Sequence, residues 1–94
     1  MGRNNMTVQL DGKRITGKAA LHDLLQQSFS FPDYYGRNLD ALYDLLTEIS
    51  VPTEIQIINV DLLQQQLGAY GAAFLVTLHQ AAEKSPYLNI EEYK

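Results

Sequence analysis

The sequence predicts an α/β fold: a three-stranded parallel sheet packed against about four helices. Three observations carry this. Short strand-like segments stand near the start, the middle and the end of the chain, at 7–10, 54–60 and 87–90. The intervals between them are far too long for hairpins, and both hold apolar residues at helical spacing, so the strands should run parallel through right-handed crossovers. The chain has 94 residues, enough for one hydrophobic core and too few for a second.

The elements follow in order. Residues 1–6, MGRNNM, are polar and read as a flexible N-terminal leader, with the domain running from 7 to 94. TVQL at 7–10 alternates polar and apolar, and Asp11-Gly12 turns it. From Lys18, the apolar residues Leu21, Leu24, Leu25 and Phe29 recur at helical spacing. That helix should stop before Phe31-Pro32, because a residue preceding proline is pushed out of the α region.

A second helix is expected to begin at Asn38, whose side chain can accept a bond from an early backbone N–H. Its apolar stripe is Leu39, Leu42, Leu45, Leu46 and Ile49, and Pro52 closes the connection. EIQIINV at 54–60 is rich in β-branched residues without clean alternation, as expected of a strand buried on both faces. DLLQQQL is a short helical segment ended by Gly68. Ala72, Leu75, Leu78, His79 and Ala82 then mark one face of a longer helix that Pro86 terminates. YLNI at 87–90 forms the last strand, giving the order β-α-α-β-α-α-β.

Composition narrows the function. There is no cysteine, which removes disulfides, thiolate catalysis and Cys-based zinc sites together. Seven basic against eleven acidic residues leave a net charge of −4. That balance disfavours direct contact with DNA or RNA and favours encounter with a basic partner. The apolar runs are too short to span a bilayer and no signal peptide is recognisable, so a cytoplasmic location without membrane attachment is expected. His22 and His79 are lone histidines without metal-ligand spacing. His22 reads as a packing or hydrogen-bonding residue and His79 as a core or boundary residue. No Gly-rich phosphate loop exists, so neither cofactor nor metal is expected.

The informative stretch is FPDYYGRNLDALYDLL at 31–46. On its helix the leucines fill one face, while Asp40, Tyr43, Asp44 and Thr47 fall at i, i+3, i+4 and i+7 on another. Acids early in a helix suit its dipole. The loop before it holds Tyr34, Tyr35 and Gly36, the glycine permitting a backbone conformation with positive φ and a partner's close approach. Spacing alone admits two readings, an ordinary solvated helix face or a protein-binding surface, with Tyr35 as the tyrosine expected to pack inward. Asp40 and Asp44 lie along one exposed face rather than across a cleft, which argues against an acid–base pair.

PDYYGRNLDALYDLLT resembles, without a gap, the signature of the barstar family of ribonuclease inhibitors. Weaker similarity extends over roughly residues 8–90. It takes in the DGKRI turn, Leu21-His22, the strand after Pro52 and Gly71-Ala72. The resemblance implies the three-stranded parallel sheet with helices already read from the pattern. It implies a non-catalytic protein that binds a barnase-type, guanyl-specific ribonuclease one-to-one, the partner being a basic, extracellular-type enzyme. An exposed inhibitory face implies a monomer. By the same resemblance Asp44 matches the strongest contact and Asp40 a second acidic one, while Tyr34 matches an aromatic packed on the catalytic region of the nuclease. Gly36, Asn38 and Leu39 match further contacts, and Tyr43 stands where the family has tryptophan. Thr47 completes that face. The alternative is a barstar-like module that regulates another basic protein. The family's cysteines are missing here. At the position matching a further acidic contact in the last long helix stands Ala81, with Glu83 two residues on and expected to point elsewhere.

Overall fold

The computed structural model describes residues 5–94. Strand β1 spans Met6–Asp11, β2 Thr53–Ile58 and β3 Leu88–Glu92; helix α1 spans Lys18–Phe29, α2 Leu39–Thr47, α3 Val60–Leu67 and α4 Ala69–Lys84. A 3-10 turn at Gly12–Arg14 follows β1. This is the predicted order and the predicted α/β class. Of the expected leader over 1–6, residues 1–4 lie outside the described residues, while Met6 opens β1 and donates its N–H to Pro52 O at 2.9 Å.

β2 is central and parallel to both neighbours, with Val8 opposite Ile55 and Ile55 opposite Ile90. The expectation that β2 is buried on both faces does not hold. Thr53, Ile55 and Ile57 are buried, but Glu54, Gln56 and Ile58 between them are only half-buried. Topology explains this. With strand order β1-β2-β3, both crossovers step in the same direction, so right-handed connections lay all four helices on one side. The other face keeps a polar lattice in which Gln56 donates to Glu54 at 2.9 Å and Gln9 to Gln56 at 3.3 Å.

The core fills the space between sheet and helices. Leu10, Ile55 and Ile57 from the sheet meet Leu21, Leu25, Leu42, Leu46, Leu63, Phe74 and Leu78, all fully buried. The leucine stripes expected on α1 and α2 supply much of it. α4 is rotated from its expected setting. Its buried residues are Gly71, Phe74, Leu75, Leu78 and Ala81, while Ala72 and His79 are exposed. Phe74 is the largest apolar side chain of that segment, and its burial outweighs that of an alanine or a histidine. His79 instead lies 2.6 Å from Glu92 Oε2 at the surface.

Gly12 shows how tightly the ends of the strands are joined. A β-carbon there would sit 2.3 Å from Asn59 O. Asp11 accepts from Lys13 N–H at 2.9 Å and from the Asn59 side chain at 2.8 Å, which holds its carboxyl below the usual range. Among the described residues no helix is long and apolar enough to cross a membrane.

Candidate functional site

α1 ends at Phe29 because Ser30 takes a left-handed conformation with φ 54°, donating its N–H to Gln26 O. The chain then reverses through Phe31-Pro32. Phe29 and Phe31 stack with centroids 5.2 Å apart, and Phe31 packs against Tyr35 at 4.9 Å. Tyr34 and Tyr35 part company here. Tyr34 is 80% exposed, whereas Tyr35 is 4% exposed, as expected for the tyrosine that packs inward.

The Tyr35 hydroxyl lies 2.6 Å from His22 Nδ1, and His22 Nε2 lies 2.8 Å from the Tyr70 hydroxyl. His22, only 2% exposed, therefore joins α1, the loop and α4. Its role as a hydrogen-bonding residue is as expected. Burial disfavours its charged form, and the neighbouring Arg37 adds to that, so its pKa lies below the usual histidine value. The same burial pushes the Tyr35 phenol up to about 12 and raises that of Tyr70.

The positive φ expected at Gly36 falls instead on the next residue, Arg37, which adopts φ 57° and reaches back to α1. Asn38 caps α2 as expected: its Oδ1 accepts the Ala41 N–H at 2.8 Å, and its Nδ2 donates to Gly36 O at 3.3 Å. Leu42 and Leu46 are buried, which turns Asp40 and Asp44 into solvent. Among the described residues neither carboxylate makes a hydrogen bond or an ion pair; the two ion pairs are Arg37 with Asp23 and His79 with Glu92.

Tyr34, Gly36 and Asp44 line a cleft of about 230 Å³ together with Tyr35, Ala41, Leu45 and Glu48. Tyr43 lies outside it, in a shallow concavity between α2 and α4 shared with Gln80, Glu83 and Lys84. Asp40 lines neither hollow. Leu39 is half-buried against the core. The Thr47 hydroxyl turns back on its own helix, 2.9 Å from Tyr43 O and 3.0 Å from Asp44 O.

In α4, Ala81, at the position matching the family's further acidic contact, is fully buried. Glu83 is exposed and so points away from the buried Ala81, as expected, and it shares the concavity of Tyr43, because the rotation set by Phe74 brings 80, 83 and 84 to that edge. Glu48 joins the cleft beyond the expected residues, and its place one turn after Asp44 is the signal for it. Chemically the cleft offers an aromatic face and two carboxylates, a combination suited to guanidinium, ammonium or imidazolium groups. No group of three His, Asp or Glu side chains that could hold a metal ion occurs among the described residues.

Comparison with known proteins agrees with this architecture. The profile of the family described as "Barstar (barnase inhibitor)" matches residues 5–92. A protein of Bacillus subtilis (strain 168) named "Putative ribonuclease inhibitor YrdF" is 38% identical over 76 residues, covering 80% of this chain and 84% of that protein.

Proposed function

The chain belongs to the barstar family, and from that premise we propose that it inhibits a barnase-type, guanyl-specific ribonuclease by binding one-to-one and covering the active site. The family and the name of its relative point to an inhibitor rather than an enzyme. The observation that carries the finer reading is the Tyr34–Asp44–Glu48 cleft, whose carboxylates no cation of the described chain neutralises. A ribonuclease holds its substrate's phosphates with Arg, Lys and His, and carboxylates on a fixed helix can occupy the same positions. In this reading Asp44 is the principal charge anchor and Asp40 the second. Tyr34 packs on the catalytic groups, Gly36 allows close approach, and Asn38 and Leu39 fix the helix entry. Tyr43 and Glu83 extend the contact along α4. The protein acts as a monomer in the cytoplasm, protecting RNA from a nuclease made in the same cell.

The test is calorimetric titration into a barnase-type ribonuclease at low and physiological salt, with nuclease activity measured on the same samples. One-to-one binding that abolishes activity and weakens with salt is expected. Asp44→Ala should lose about 2–5 kcal/mol of binding, the usual cost of removing one partner from a close charge pair. Its folding stability should change by less than about 0.5 kcal/mol, since the carboxylate has no partner among the described residues. An Asp44→Ala variant that binds like the wild type would sink the assignment of the anchor. Absence of any binding would shift the search to another basic protein.

A further inference from the structure

We propose that Arg37 is a positioning residue, strapping the partner-binding loop to α1 while Asp23 keeps its charge off the acidic face. The functional half of this proposal rests on the inhibitor reading; the strap itself does not.

The backbone raises the question. Arg37 has φ 57°, a left-handed conformation that glycine and asparagine adopt readily and a long side chain rarely does. An arginine kept there needs compensation from its side chain. The guanidinium supplies it. Its Nη2 lies 2.6 Å from Asp23 Oδ1 and 3.3 Å from Ala19 O, and its Nη1 donates to Gln26 Oε1 at 3.0 Å. Residues 19, 23 and 26 fall at i, i+4 and i+7, one stripe of α1, so the planar group lies along a single ridge. Gln26 also donates to Pro32 O at 3.3 Å, which ties the start of the loop to the same ridge.

The charge matters as much as the geometry. Arg37 sits between Gly36 and Asn38, one turn before Asp40. A free cation there would oppose a basic partner and weaken its steering. Paired with Asp23, it is neutralised and drawn away from the carboxylates of α2. An exposed ion pair contributes little to global stability. The strap should therefore show itself in loop order and in binding, and not in the unfolding transition.

Three variants separate these effects. Arg37→Asn keeps a residue that tolerates positive φ but cannot reach α1. Asp23→Ala removes the ion-pair partner and leaves the guanidinium only Gln26 and Ala19 O on α1. Asp23→Arg combined with Arg37→Asp rebuilds the pair with the charges reversed, again with a residue that tolerates the left-handed backbone. On the free protein, amide exchange at 35–38 should quicken by roughly tenfold in both single variants, with residues 55–57 of β2 unchanged. The reversed pair should restore slow exchange. With a barnase-type ribonuclease both single variants should weaken affinity by about fivefold or more, and Asp23→Ala should slow association most at low salt.

Unchanged exchange in both single variants, or no recovery in the reversed pair, overturns the strap. Faster exchange with wild-type affinity overturns its role at the site. If the wild type binds no ribonuclease, the inhibitor reading fails instead, and the exchange measurements still decide the strap by themselves.

Discussion

Replacing Tyr35 by phenylalanine tests whether the loop is held by its hydrogen bond to His22 or merely by packing. The ring contact with Phe31 at 4.9 Å survives the change, so no cavity forms. What is lost is the 2.6 Å bond to His22 Nδ1, and the histidine is too buried for water to replace it. A net hydrogen bond contributes roughly 0.5–1.5 kcal/mol, and stranding a buried polar atom costs about 1–3. These two figures overlap, since both count the same broken contact. The expected loss is about 1–3 kcal/mol, or a Tm lower by roughly 5–20 °C in a domain of this size.

The alkaline limb gives a second, independent signature. Folding raises the Tyr35 phenol from about 10 to about 12, so between those values the unfolded chain releases a proton that the folded one retains. The unfolded state then binds fewer protons, and stability must fall as pH rises through this window, by about 2–3 kcal/mol in total. In Tyr35→Phe most of that fall should vanish, leaving the smaller contribution of Tyr70. Urea unfolding followed by circular dichroism at neutral pH and from pH 9.5 to 12 reads both effects. A variant within about 0.5 kcal/mol of wild type at neutral pH, with an undiminished alkaline fall, would refute the reasoning.

Two further substitutions probe the neighbouring helices. Asn38→Ala removes the acceptor of the Ala41 N–H and should cost about 1 kcal/mol in urea unfolding, whereas Asn38→Asp keeps that acceptor and should stay close to wild type. Ala81→Glu forces a carboxylate into a fully buried site and should lose at least about 3 kcal/mol, or fail to fold, without improving binding. Gln80→Glu adds a carboxylate beside Tyr43 at the surface instead, and its stability should stay within about 0.5 kcal/mol of wild type.

What was legible beforehand was local. The Asn38 cap, the stop before Pro32 and the leucine stripes of α1 and α2 each depend on residues within a turn or two, and each appears where expected. The parallel sheet followed from connection lengths. What escaped depends on distant partners. The alternation of β2 was masked by Ile58, which continues the isoleucine run onto the polar face, and only the strand order reveals that this face is open. The rotation of α4 was set by Phe74 against the assembled core, and alanine spacing could not register that. His22 finds its two partners 13 and 48 residues away, so its centrality could not be read from a helical pattern.

One local conflict in α2 remains, and it bears on function. Asp40, Asp44 and Glu48 follow one another at i, i+4 and i+8 on a single ridge, the last in helical conformation as the C-cap. Like charges at this spacing destabilise a helix by roughly 0.2–0.5 kcal/mol per pair. The helix dipole favours Asp40 near the N-terminus but disfavours Glu48 at the C-terminus, so it does not cancel the repulsion. No basic residue of the described chain relieves the ridge either: the two ion pairs lie elsewhere and use Asp23 and Glu92. A sequence shaped for stability alone would interleave a lysine. Repulsion left standing on a rigid surface is relieved when cations from outside reach that ridge, and a basic partner gains that energy only on binding.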